Sequence, residues 1–441
     1  MILIAVLLFE LIIFVHEGGH FVAAKKSGVK VNEFALGMGP KIFSFKKGET
    51  TYSLRLLPIG GYCAMEGEDE ESDNPRAFNN AKIWKRMIII VAGAFMNIML
   101  GLALMLITLL PNDSYTSTII ADFHPYSFTA TTGLEKGDKI VEINDYKIYS
   151  STDFSFAMYT LPISEVDGDT FEIYKQDCLF ELKNQAATFA KDANNEEVAA
   201  LDTLWNEGAN KIFEAKDRED AYSTLCEYID KFAESMNLEK VESYPEIEIK
   251  DKRQRFRTDM TVVRDNEKVQ IENVDFFTYK MGEDGEPMLA LDFYVEPIEK
   301  TFLSTLTQTG IQTVSVVRMV WGGLVGLVTG QFGINDVSGP VGLASAITDV
   351  AGESLKTSFF DAVMSIVYVM MVITVNLGIV NMLPFPALDG GRFVMLLIEA
   401  IFRKPVPRKI EGIINGVGLI LLLLLMAVIT VKDVWVLIFG G

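Results

Sequence analysis

The sequence predicts an α-helical membrane protein with several spans and one polar α+β domain set between them. Three observations predict it. The chain of 441 residues has a mean hydropathy of +0.25 and is 49% hydrophobic, which is high for a soluble protein. Four apolar runs are long enough to cross a hydrocarbon core of roughly 30 Å. Between the second and third runs lies a polar, acidic stretch, which carries much of the net charge of −20. Two or three domains fit this length. No basic face is evident, which argues against nucleic acid as a partner. The three cysteines, Cys63, Cys178 and Cys226, give neither a disulfide framework nor a paired-cysteine zinc site. Cys178 and Cys226 could pair if they lie outside the cell.

The first run is apolar from Ile2 to Val15 except for Glu10. Its helix is expected to continue to about Ala24, where it meets Lys25 and Lys26. A cleavable signal peptide needs a basic start and a small-residue cleavage site, so a retained span over about residues 1–24 is expected instead. Residues 31–65 are rich in Gly and strand formers, with a turn at Lys46-Lys47-Gly48. They are too short to span and too apolar for an ordinary loop. A β-hairpin dipping into the membrane is expected, with a small soluble hairpin as the alternative. The second span, about 87–110, follows Lys85 and Arg86 and stops at Pro111-Asn112-Asp113.

From about 121 to 298 a second domain is expected. Strand-like text surrounds a helical insertion at about 171–251, read as strand to Phe180 and then as a pair of amphipathic surface helices between Gln185 and Asn237. A disordered acidic insert fits its aromatic residues less well. Within 299–359, Thr309–Val328 is interrupted by Gln312, Thr313 and Arg318 and is expected to lie at the membrane interface. The remaining spans are expected at about 360–388 and 413–431. The Lys- and Arg-rich connections, Lys25–Arg86 and Arg392–Lys409, go to the cytoplasm by the positive-inside rule. Both termini and the acidic domain are then extracytoplasmic.

The first span ends in His16-Glu17-Gly18-Gly19-His20, an H-E-x-x-H sequence that uses two of only three histidines. Residues four apart share a helix face, so both imidazoles can point at one ion. Glu17 is then beside the ion as a general base. Two nitrogen donors suit Zn²⁺ in an open site that needs a third ligand and a water. The competing reading is a chance pattern on an apolar helix, but ionisable groups there are costly. For the third ligand Asp389 is the candidate. It follows a helix-breaking run, Asn381 to Pro384 and Pro386, and precedes Gly390-Gly391, which permit close backbone approach. A plain helix-ending turn is the alternative. Glu10 lies two turns before Glu17 on nearly the same face. It either helps hydrate the site or partners a lysine or backbone group at the outer interface.

Taken in order, these motifs resemble the site-2 protease family of intramembrane zinc metalloproteases, in the bacterial regulator-of-sigma branch with an extracytoplasmic PDZ domain. They are the H-E-x-x-H segment, Gly37-Met38-Gly39-Pro40, Gly60-Gly61-Tyr62, Ala92-Gly93 with Asn97, Gly133-Leu134 with Gly137-Asp138, Ser338-Gly339-Pro340-Val341-Gly342, and Asn381 through Gly391. The resemblance implies that His16, His20 and Asp389 bind zinc and that Glu17 activates the water. It implies that Asn381, in the loop opened by Pro384 and Pro386, helps hold the substrate or the tetrahedral intermediate, and that the hairpin ending at Gly60 and Gly61 pairs with an unwound substrate strand. It further implies regulated intramembrane proteolysis of single-span proteins, such as pre-trimmed anti-sigma factors or remnant signal peptides. Residues 121–298 would be a PDZ-like screening domain. Ala94 departs from the family, which usually has Pro there, and the insertion is a second departure. An intramembrane metal transporter and a non-catalytic PDZ scaffold are the rival readings. The first needs donors open to both sides, and an intact Glu17 speaks against the second.

Overall fold

A computed structural model describes the chain except residues 1, 69, 71, 125, 126, 128, 162, 192, 237, 239, 240, 242, 250, 251, 281–286, 334, 335, 440 and 441. It divides into two compact units, Met1–Tyr115 with Glu299–Gly441, and Thr116–Ile298.

The apolar run that opens the first unit forms α1, Ile2–Ser27, which ends at Gly28 in the left-handed region (φ 84°). Strands β1, Val31–Lys47, and β2, Thr50–Met65, follow, and then α2, Ile83–Leu109. Helix α2 is continuous through Ala92-Gly93-Ala94, as expected where the family proline is absent. The register of β1 and β2 shows that each is bent into two segments. Residues 31–36 run against 61–65, as in Phe34↔Cys63, and alongside 51–54, as in Phe34↔Tyr52 and Ala35↔Ser53. Residues 41–47 pair with the far side of 50–55. The segment 61–65 therefore keeps one edge without a strand partner among the described residues. Positive φ at Gly37, Gly39 and Gly60 permits the bends. Met38, Ile42, Phe43, Phe45, Leu56 and Leu57 are exposed, an apolar surface suited to lipid.

The turn of this hairpin is tied to the end of α1. Arg76 donates to both Glu49 oxygens at 2.7 and 2.8 Å, and Lys25 Nζ donates at 2.7 Å. The Arg76 bonds, then that of Lys25, pull the Glu49 pKa from 4.5 down to about 2. A lowered carboxylate pKa stabilises the fold above the unfolded value and ceases to do so as pH falls through the folded one. Protection of the turn amides, measured against intrinsic exchange at each pH, is therefore expected to fall between about pH 4.5 and 2. In Glu49→Gln that acid step should vanish, and its persistence would rule this cluster out as the cause.

The second unit contains β3, Ser114–Phe123, β4, Lys139–Ile143, β5, Tyr146–Lys147, α3, Ser151–Tyr159, and β6, Ile163–Asp167. Helices α4, Phe171–Ala190, α5, Asn195–Glu214, and α6, Arg218–Ser235, follow. Strands β7, Lys252–Arg264, β8, Glu267–Asp275, β9, Phe277–Lys280, β10, Pro287–Ala290, and β11, Phe293–Glu299, complete it. One sheet runs β11-β3-β4-β7-β6, with β5 beside β4 and β8 beside β7. Ile120, Ile140, Ile143, Met260, Val262, Phe276 and Phe293 form its core. Arg264 forks onto the fully buried Asp138 with two 2.7 Å bonds, which pins the turn at Gly133–Asp138.

The helical segment between β6 and β7 departs from expectation in two ways. It holds three helices, not a pair, and 171–180 is helix, not strand. The strand reading followed the aromatic and β-branched residues there. What decides is the cap at Thr170, which accepts from the Ile173 N–H, and the burial of Ile173, Cys178, Leu179 and Leu182. The three helices are not merely a surface decoration. They share a separate core of Leu179, Leu182, Leu201, Ile212, Leu225, Tyr228 and Phe232. Cys178 and Cys226 stand there as free thiols. The expected end of the insertion at residue 251 lies outside the described residues.

The first unit resumes with α7, Phe302–Thr329, capped by Thr301 and Ser304, then α8, Pro340–Thr357, α9, Phe359–Asn381, α10, Asp389–Phe402, and α11, Arg408–Phe439. Five helices are long and apolar enough to cross a membrane, namely Leu7–Ser27, Ile83–Leu109, Phe302–Thr329, Phe359–Asn381 and Lys409–Ile438. The protein is thus a multi-pass membrane protein. The stretch expected at the interface, Thr309–Val328, lies inside α7. Its interrupting residues Gln312 and Thr313 are buried with Thr305, Gln308, Thr309 and Ser315, whereas Leu306, Val314, Trp321, Val325 and Val328 are exposed. Its polar groups face protein, so polarity alone does not exclude it from the bilayer. The span expected over 360–388 is also corrected. Helix α9 ends at Asn381, a turn occupies 382–388, and Asp389 opens a new helix. Pro384 and Pro386 cannot continue α9, and Ala387 takes a left-handed φ of 72°.

Candidate metal centre

Helix α1 carries His16, Glu17 and His20, and two glycines let α2 come close enough to frame them. A Cβ on Gly19 would strike the Ala92 carbonyl, and one on Gly93 would strike His20 Nε2 and lie 2.8 Å from His16 Cε1. Glycine inside a helix costs roughly 1 kcal/mol relative to Ala. Here it brings the two helices together at the imidazole pair. His20 Nδ1 lies 2.8 Å from the Ile89 carbonyl oxygen of α2, which orients Nε2 inward. His16 is held on its other side by Asn97, whose side chain is 3.2 Å from Nδ1.

Asp389 reaches the pair from the first residue of α10. Side chains on Gly390 or Gly391 would strike the backbone of 382–386, so only glycine lets that turn fold back on α10. The Ala387 N–H is held by Asn415 Oδ1 of α11 at 3.3 Å. Asp389 Oδ2 then lies 3.2 Å from His16 Nε2 and 3.3 Å from His20 Nε2, and the two Nε2 atoms are 3.2 Å apart. His16 and His20 are 6% and 8% exposed. Among the described residues this is the only such group of three donors.

The donors fit zinc. Ligands about 2.0–2.1 Å from a tetrahedral ion stand about 3.3 Å from one another, close to the three observed separations. Asp389 Oδ2 is buried and accepts no hydrogen bond from a described donor, as suits an atom meant for a cation. Two imidazole nitrogens and one carboxylate oxygen are a borderline set typical of catalytic zinc.

Glu17 belongs to the site without belonging to the ligand set. Its carboxylate receives a backbone hydrogen bond from Cys63 of β2. A Cβ on Gly61 would lie 3.6 Å from Glu17 Cγ, so β2 passes directly beside it. Asn381 Nδ2 is 3.3 Å from His16 Nε2, at the lip of the centre. The other residues implicated by the sequence stand further off. Gly60 bends β2 against Met38, and Pro386 packs on Gly418 of α11, while Pro384 sits in the turn after Asn381. Glu10 is buried and neither oxygen has a partner among the described residues, so the expected interfacial pairing is not seen. Ile89 and Asn415 support the centre with no local sequence signal, and Gly93 and Asn97 were marked only by the resemblance.

A multi-pass membrane protein with an H-E-x-x-H helix, a distant aspartate and a zinc-shaped gap between them is a metallopeptidase with a zinc cofactor. Comparison with known proteins gives the same class. Residues 4–425 match Peptidase family M50. The chain is 30% identical over 446 residues to the regulator of sigma-W protease RasP of Bacillus subtilis, covering 97% of each. It is 28% identical to the zinc metalloprotease RasP of Geobacillus kaustophilus, covering 97% of this chain and 96% of that one. The RasP of Oceanobacillus iheyensis is 29% identical, with 97% of each covered. The chain belongs to Peptidase family M50.

Proposed function

We propose that the protein hydrolyses peptide bonds inside the transmembrane segments of single-span membrane proteins, such as pre-trimmed anti-sigma factors or remnant signal peptides, as a step in regulated intramembrane proteolysis. The observation that carries this reading is the convergence of His16, His20 and Asp389, with Glu17 beside them, within a bundle of apolar helices. His16, His20 and Asp389 hold the zinc. Zinc held there would supply Lewis-acid polarisation of the scissile carbonyl and a water nucleophile near neutral pH. Glu17 takes a proton from the attacking water and passes it to the departing amine. Asn381, at the lip of the centre, orients the substrate carbonyl.

A helical peptide bond is shielded by its own hydrogen bonds, so a substrate helix must unwind. The open edge of residues 61–65 offers replacement backbone partners next to Glu17, and strand addition there offsets the lost helical bonds. Gly60 permits the bend at which that edge begins, and Pro384 and Pro386 keep the turn beside Asp389 free of helix. The unit Thr116–Ile298, read as PDZ-like, screens what enters.

The contacts within the first unit support four spans. Lys300 Nζ donates to the Leu110 carbonyl at 2.7 Å, and Tyr115 bonds Thr305 at 2.6 Å, so α7 starts at the C-terminal end of α2. After α7, Lys432 Nζ holds the Val337 carbonyl at 2.6 Å, and Asp433 accepts from Gly339 and Gly342 at 2.9 and 2.8 Å. These ends lie about 20 Å beyond the metal centre along α2, from Asn97, and along α11, from Gly418. The chain just before α7 and the chain at 337–342 are therefore on one side. With the basic connections in the cytoplasm, both termini and the second unit are outside and the metal centre faces the cytoplasmic half.

The three-helix insertion acts as a size or charge filter that excludes substrates with intact outer domains. Because α4, α5 and α6 share one core, they must be removed together. Asp167 pairs with Lys252 in the β6–β7 ladder, so a short turn joining these positions keeps the sheet. The deleted protein is expected to cut longer precursors than the intact one. An unchanged length limit counts against the filter.

A further inference from the structure

We propose that Asn97 is a positioning residue that fixes His16 as a zinc ligand by accepting its Nδ1–H at the side-chain oxygen. The inference rests on the zinc reading above and assigns a role that the three ligands alone do not supply.

Asn97 is fully buried on α2 and is held on several sides. Its own carbonyl receives the Thr374 hydroxyl of α9 at 3.3 Å, and its Cβ is where a side chain on Gly378 would lie, 3.3 Å away. These contacts hold the α2 backbone at Asn97 beside His16. The His16 ring turns Nε2 toward His20 and Asp389 and Nδ1 toward the Asn97 amide, 3.2 Å from Nδ2. A neutral imidazole carries one N–H. If the Nε2 lone pair binds metal, the proton is on Nδ1. An N–H facing the amide NH₂ would set two donors against each other. Meanwhile Asn97 Oδ1 is buried and has no donor among the described residues.

One rotation resolves both problems. The two ends of an amide have the same shape, and a half-turn about the Cβ–Cγ bond exchanges them without moving a neighbour. It brings the orphaned oxygen to the Nδ1–H. The two ligand imidazoles are then oriented alike from α2, His20 by the Ile89 carbonyl at 2.8 Å and His16 by a side-chain carbonyl. In both cases an acceptor on the outer nitrogen fixes the tautomer and raises the basicity of the ligating one.

The test compares two variants of the full-length protein in detergent. Asn97→Asp places an oxygen at either end of the side chain and is expected to bind zinc at least as tightly as the wild type. Asn97→Leu keeps the branching but replaces both polar ends by methyl groups, and is expected to lose about 10–100-fold in zinc affinity, read by competition with a chelator. Equal affinity in wild type and Asn97→Leu overturns the proposal, as does an Asn97→Asp protein weakened as much as Asn97→Leu. A readout that needs no variant comes from the zinc-loaded wild type. With only three histidines, nitrogen-labelled imidazole spectra should show His16 as the Nδ1–H tautomer with a slowly exchanging proton. The opposite tautomer overturns the proposal. Failure of the wild type to bind zinc at all would instead strike the proposed function.

Discussion

Replacing Glu17 by Gln is expected to leave one zinc bound per chain and to lower peptide hydrolysis by about two to four orders of magnitude. Glu17 is not one of the three donors that approach one another within 3.3 Å, so the metal does not need it. Gln has nearly the same shape and can still accept the backbone bond from Cys63. What it cannot do is take a proton from water and return it to an amine. The measurement is fragment mapping by mass spectrometry on a single-span substrate, with zinc content determined on the same preparation. A metal transporter altered in this way would keep its flux, and a scaffold would keep its binding. Full hydrolysis by Glu17→Gln would remove Glu17 from the chemistry.

Gly93→Ala is expected to have a comparable effect by a different route, with zinc affinity and hydrolysis both falling at least about 100-fold. One methyl group at this position overlaps His20 Nε2 and comes within 2.8 Å of His16 Cε1, on the ligating side of both rings. A functional constellation tolerates displacements of only about 0.5 Å, so either α2 moves away or the rings turn out of position. The substitution separates site geometry from helix stability, because Ala is the better helix former by about 1 kcal/mol. A protein that is fully helical by circular dichroism yet has lost its zinc is the expected result. Normal zinc content and normal activity in Gly93→Ala would mean that the two helices do not approach as described.

How much of this was legible in the sequence depended on whether the cause was local. The pair His16 and His20 was legible because helical periodicity alone places them on one face. Asp389 was marked by its prolines and glycines, although 369 positions separate it from His20. Ile89 and Asn415 were not legible, and Gly93 was marked only by the resemblance, because their roles arise where two helices touch and nothing local fixes that register. The setting of helix α7 was not legible from its mixed polarity alone. Only the packed structure shows that Gln312 and Thr313 face protein. The first turns of α4 looked like strand from residue types and became helix through a cap and a core supplied by α5 and α6. Helix α8 was missed altogether. Ser338 to Gly342 was marked as a motif, and Pro340 is the first residue of this helix, where its fixed φ is welcome.

The most direct measurement is X-ray absorption at the zinc edge on the purified full-length protein. Two imidazole nitrogens at about 2.0–2.1 Å, a carboxylate oxygen at about 2.0–2.2 Å and one further light atom are expected around a single ion per chain. Absence of zinc, or a sulfur shell at about 2.3 Å, would contradict a centre built from His16, His20 and Asp389.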